Sequence, residues 1–165
     1  LRLLERIFPS LNETDYIEDL IKDGDLPILN QSLIELIKSK KYLEIPLSEE
    51  LKPIFIFELK EELIGVTNEF LELKLNRTGK SFKVKGDIEQ KGLCSCCEYY
   101  SIGVGEDGLW DICPVCFWEN GGEGPNHVTL KEGQNNFKYF GAMSKMSLNS
   151  IDPEGKIKYL RNEEI

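Results

Sequence analysis

Cys94-Ser95-Cys96-Cys97 is followed, after 15 intervening residues, by Cys113-Pro114-Val115-Cys116, giving the spacing C-x2-C-x15-C-x2-C. Four soft thiolates at this interval read as a zinc site. Each C-x2-C pair is a tight turn that presents two sulfurs from one loop, with backbone N–H groups softening the sulfur charge. Two such loops facing one another complete a tetrahedron with Zn–S bonds of about 2.3 Å. The segment between them suits this. Residues 99–104 and 109–112 are strand-like, and Gly105-Glu106-Asp107-Gly108 is a strong turn signal. The expectation is a zinc ribbon in which Cys94, Cys97, Cys113 and Cys116 hold one structural Zn2+.

Two disulfides are the competing account of four cysteines. An intracellular chain with five cysteines argues against them. The fifth, Cys96, could replace Cys97 as a ligand, although C-x-C geometry suits a symmetric ribbon less well, and it is read as a spare thiol. His127, the one histidine, is read as a surface or hydrogen-bonding residue. A site closed by four thiolates has no open position at which to activate water or polarise a substrate, so the metal is expected to supply folding energy.

The 90 residues before the ribbon read as an N-terminal α/β portion. Residues 11–23 form a helix, with Asn12 or Thr14 as cap, Tyr16, Ile17, Leu20 and Ile21 as apolar stripe, and Gly24 as stop. A second helix runs from Asn30 to Tyr42, with Leu33, Ile34, Leu36 and Ile37 on its buried face. Residues 54–69 are compatible with helix or strand. Leu71, Leu73 and Leu75 alternate with Glu72 and Lys74, Asn76-Arg77-Thr78-Gly79 turns the chain, and Phe82 and Val84 alternate with lysines. That pattern predicts a β-hairpin, with a boundary near 86–92. After the second C-x2-C, Thr129-x-x-Glu132 is a capping box that opens a helix to Phe140, stopped by Gly141. Leu130, Phe137 and Phe140 would pack it on the ribbon, and Trp110, Phe117 and Trp118 would cover the hairpin between the knuckles. The fold class is therefore α+β: N-terminal helices plus a β-hairpin over 1–90, and a zinc ribbon with a packed helix over 91–165.

Cys94-Ser-Cys-Cys-Glu-Tyr-Tyr100, Trp110-Asp-Ile-Cys-Pro-Val-Cys-Phe-Trp-Glu119, Gly124-Pro-Asn-His-Val-Thr-Leu130 and Asn136-Phe-Lys-Tyr-Phe-Gly-Ala142 resemble the bacterial cysteine-rich CPCC family over residues 92–155. The family's first knuckle looks like Cys-Pro-Cys-Cys-Gly; here Ser95 replaces Pro and Glu98 replaces Gly. Losing that Gly is expected to strain the turn after Cys97. The resemblance brings no established activity. It implies small bacterial proteins and domains, some of which look like immunity components of toxin systems.

Charge and the remaining motifs narrow the function classes. The formal charge is −9, and both halves share it: residues 1–90 hold 13 Lys+Arg against 18 Asp+Glu, and residues 91–165 hold 7 against 11. Neither half offers the basic surface that nucleic acid requires, and an acidic field favours basic partners. One local basic strip, Lys74, Arg77, Lys80, Lys83 and Lys85, keeps a regulatory nucleic-acid-binding ribbon as the second reading. No Gly-x-Ser-x-Gly, His-Glu-x-x-His or nucleotide loop is present, and the Gly-rich stretch 119–126 lacks a Gly-Lys-Ser/Thr ending. No enzyme is expected. The apolar run Ile54 to Phe57 is far below the roughly 20 residues of a membrane span, and charges interrupt the first eight residues, so no membrane association is expected and the location is taken as cytoplasmic. The chain opens on Leu1 rather than methionine, which points to a native start upstream. The leading expectation is an acidic immunity protein that neutralises a basic toxin domain. Its contact carboxylates would be Glu13, Asp15, Glu18, Asp19, Asp23 and Asp25, on the first helix and the loop after it.

Overall fold

A computed structural model describes residues 16–23, 31–38 and 52–162. The chain divides into two units, between Leu63 and Ile64. The first carries helices α1 (Tyr16–Asp23), α2 (Gln31–Lys38) and α3 (Lys52–Leu63). Asp19, Lys22 and Asp23 are exposed on α1 while Ile21 is half-buried, and Ile34 of α2 is buried. The caps expected at Asn12, Thr14 and Gly24 lie outside the described residues, as do both ends of the expected second helix. Residues 54–63 resolve as helix. Glu, Lys and Leu dominate its second half, and their helix propensity outweighs the β-rich Ile54-Phe-Ile-Phe57.

The second unit begins with α4 (Asn68–Asn76), which corrects the hairpin expected over residues 71–84. The Leu-x-Leu-x-Leu alternation is real, but Thr67 caps the segment, its hydroxyl accepting from Phe70 N at 3.2 Å, and Leu, Glu and Lys propagate a helix readily. Residues 82–86 do return alongside it, but without a strand or a ladder. Asn68, Glu72 and Asn76, one turn apart on a single helix face, take over the role of a partner strand. The Glu72 carboxylate accepts from Val84 N at 3.0 Å and pairs with Lys83 at 3.0 Å. Asn76 accepts from Phe82 N at 2.6 Å, and Asn68 donates to Gly86 O at 2.9 Å. Lys83 and the Val84 N–H hold the Glu72 carboxyl below the usual range.

The boundary expected near 86–92 therefore falls inside the second unit. Val66 and Phe70 are buried in one cluster with the cysteines, Ile102, Val115, Trp118, Phe137, Met143 and Tyr159. The chain's last described segment ties these parts together. Thr67 N donates to Lys158 O and Tyr100 N to Leu160 O, both at 2.9 Å, and Asn162 N donates to Glu98 O at 2.7 Å. Glu154, just before α6 (Gly155–Lys158), receives Lys74 and Arg77 of the α4 end.

Helix α5 (Leu130–Phe140) forms as its sequence predicts. Thr129 and Glu132 complete a reciprocal capping box, and Gly141, at φ 88°, ends the helix in the left-handed region. Phe137 is buried in the cysteine cluster and Leu130 packs at its margin. Gly133 lets the helix approach: a Cβ there would stand 3.0 Å from the Trp118 ring and 3.3 Å from Cys96 Sγ. Among the described residues no helix is long and apolar enough to cross a membrane.

Candidate metal centre

Two knuckles of matching construction present the sulfurs. In the first, Cys94 N donates to Tyr99 O and Glu98 N to Cys94 O, both at 2.9 Å. In the second, Cys113 N donates to Trp118 O and Phe117 N to Cys113 O, both at 2.8 Å. The residue after the last cysteine is left-handed in both, with Glu98 at φ 63° and Phe117 at φ 69°. Each knuckle sits at the tip of its own short antiparallel pair. Strands β1 (Gly92–Leu93) and β2 (Tyr100–Ile102) flank the first, and a bridge between Ile112 and Glu119 closes the second.

The expected hairpin between the knuckles is absent. Residues 105–108 form a 3-10 turn, and Ile112 bridges forward to Glu119 rather than back to β2. Gly108, Leu109 and Trp110 instead bond within the loop and to Asn120, as in Trp110 N to Asn120 O at 2.9 Å and Asn120 Nδ2 to Gly108 O at 2.8 Å.

The four cysteines of the C-x2-C pairs come together. Their sulfurs all lie within 4.8 Å of one another. Cys94 Sγ and Cys116 Sγ are 3.6 Å apart, and Cys97 Sγ and Cys113 Sγ 3.5 Å. A tetrahedron with metal–sulfur bonds of about 2.3 Å has edges of about 3.8 Å, so the spacing fits zinc. None of the five cysteines is disulfide-bonded, and the four are at most 1% exposed. Val115 N donates to Cys113 Sγ at 3.3 Å, and Ser101 Oγ stands 3.2 Å from the same sulfur.

Hydrogen bonds from Cys116, Cys94 and Cys97 hold the Cys113 thiol far below its ordinary range. The Cys116 and Cys97 thiols, bonded to Cys113, are pushed far above theirs. Four sulfurs this close cannot all ionise unaided. A divalent cation among them removes the conflict, which is the chemistry of a soft-metal site. Cys96 is buried but outside the group that could hold the metal. His127 is exposed in the turn after Gly124.

Sequence reasoning missed Asn126. This buried residue accepts from Glu119 N at 2.8 Å and donates to Glu119 O at 2.9 Å and Gly122 O at 2.7 Å. It ties the Gly-rich stretch 119–126 into a hydrogen-bonded loop behind the second knuckle. Asparagine in a Gly-Pro turn was the available signal, but nothing local says which backbone groups it meets. Of the carboxylates proposed for partner contact, Asp19 and Asp23 are exposed on α1. Glu18 lies on α1 with its side chain outside the description, and Glu13, Asp15 and Asp25 lie outside the described residues. The basic strip is partly neutralised: Lys74 and Arg77 face Glu154, and Lys83 faces Glu72.

The left-handed Glu98 gives a testable effect. A side chain costs about 1 kcal/mol there relative to glycine, and its exposed pair with Arg161 at 3.5 Å returns only a few tenths. Glu98→Gly should therefore raise the midpoint of chemical denaturation, through an unfolding free energy higher by up to about 1 kcal/mol. An unchanged or lowered midpoint would refute strain at this turn.

Neither the curated proteins nor the solved structures compared with the chain gave a match. Residues 92–156, which hold both knuckles and helix α5, match the family described as cysteine-rich CPCC.

Proposed function

We propose that the chain is a non-enzymatic, zinc-containing binding protein of the bacterial cytoplasm, and that it acts as an immunity protein by binding and neutralising a basic protein toxin. One observation carries the non-enzymatic part: four buried sulfurs face one another, and among the described residues no His, Asp, Glu or further Cys joins their group. A zinc ion held there by both knuckles would have its coordination filled, so its contribution would be structural. The zinc-ribbon reading is supported by the matched backbone bonding of the two knuckles, even though the connection between them is a 3-10 loop. The partner class is supported by the charge of −9, which favours and steers a basic protein. The likeness of the C-terminal part to the CPCC family supports the toxin-system setting.

A nucleic-acid partner is the weaker reading, because three of the five cations on the strip already face carboxylates. Depleting the chain from its source cells should arrest growth, and re-expressing it should restore growth. Re-expression of Cys113→Ser should not. Unimpaired growth of depleted cells at high density, where a toxin would be exchanged, would contradict the immunity role.

A further inference from the structure

The loop joining the two knuckles turns its apolar side chains into solvent. Val104 is 57% exposed, Leu109 53%, Trp110 60% and Ile112 50%, whereas Trp118, eight residues on, is 2% exposed. A cluster of this kind on one loop costs free energy in water that burial against a partner would recover. The indole is also held in place. Trp110 sits at φ 71°, a region bulky residues rarely adopt. Its ring rests on Gly121 so closely that a Cβ there would stand 2.2 Å from it. Gly103 N donates to Asp111 Oδ2 at 2.7 Å and Asn120 N to Asp111 O at 2.8 Å, fixing the loop on both sides. A side chain so fixed loses little entropy on docking.

Charge says what would cover it. From residue 92 to residue 130 the sequence has six carboxylates and no Lys or Arg. Glu106 and Asp107 are exposed in the 3-10 turn next to Leu109 and Trp110. An apolar centre beside charge of one sign is complementary to an apolar cleft bordered by Lys and Arg, and it repels phosphate.

The geometry points to this loop, with Trp110 as anchor, as the surface that docks a basic protein: an apolar cleft of the partner receives the indole, and its cations face Glu106 and Asp107. The inference rests on the reading of a basic protein partner, and it moves the contact from the acidic first helix to the knuckle loop.

The test places the photo-crosslinker benzoylphenylalanine at Val104 of the full chain, expressed in its source cells. The expected result is one adduct to a protein with a pI above about 9. Its yield should fall at least about tenfold with Trp110→Ala, as for an interface anchor, and also with Leu109→Ser, which leaves the indole's seat on Gly121 untouched. In extracts it should fall as ionic strength rises from about 0.05 M to about 0.5 M. Zinc content and melting of both variants, matching the parent, establish that they fold. An adduct that both variants leave unchanged overturns the inference, as does one to nucleic acid, to an acidic protein or to a second copy of this chain. If Val104 gives no adduct while carbodiimide coupling joins a basic protein to Asp19 or Asp23, this surface is wrong and the basic partner stands. If neither chemistry captures a basic protein, both the surface and the reading beneath it fall.

Discussion

Cys113→Ser should leave the second unit unfolded and free of zinc at neutral pH. Cys113 is fully buried, and its sulfur meets Cys97 Sγ, Ser101 Oγ and Val115 N. Serine offers a hard, protonated oxygen where zinc needs a thiolate. Structural zinc binding in small domains is worth about 10–16 kcal/mol, which matches or exceeds the roughly 5–15 kcal/mol of net stability in a typical fold. The helices that pack on the knuckles have no alternative core, since Phe70 and Phe137 share one cluster with the cysteines. Far-UV circular dichroism together with zinc stoichiometry reads the outcome. A strong chelator applied to the parent chain should reproduce it. Cys96→Ser should keep one zinc, because Cys96 stands outside the ligand group. A Cys113→Ser chain that melts like the parent with zinc still bound would refute a structural centre.

Trp118→Ala should destabilise the second unit by about 3–5 kcal/mol while leaving one zinc per chain. The indole is buried between the second knuckle and α5, where Gly133 makes room for it. Deleting it opens a cavity that helix and knuckle cannot both close. Cys113 N donates to the Trp118 backbone carbonyl, which alanine retains, so the knuckle keeps its geometry. Trp110→Ala, by contrast, removes a ring already mostly in water and should shift stability by less than about 1 kcal/mol. Denaturant midpoints of the two variants separate a core aromatic from a presented one. Equal midpoints would mean that the burial difference carries no energetic weight.

The sequence was legible where chemistry has a fixed interval. Two C-x2-C pairs named the four sulfurs that meet, and Thr129, Glu132 and Gly141 marked both ends of α5, because capping and knuckle geometry are local. It misled where a period is shared by two structures. Leu71, Leu73 and Leu75 alternate as a strand would, yet the same residues propagate a helix once Thr67 supplies a cap. It was silent where the partner is distant in sequence. Nothing near Thr67 predicts its bond to Lys158 O, and nothing near Trp118 predicts that it would be buried while Trp110 is presented. Glu98 lies between these cases: its departure from the family's glycine pointed to strain, and its backbone is left-handed.

Zinc K-edge X-ray absorption on the purified chain tests the central claim most directly, since it reads the element, the donor type and the count together. The account predicts one zinc with four sulfur neighbours at about 2.3 Å and no lighter scatterer in the first shell. A shell containing nitrogen or oxygen, or only three sulfurs, would open the site and contradict the closed structural centre on which the proposed function rests.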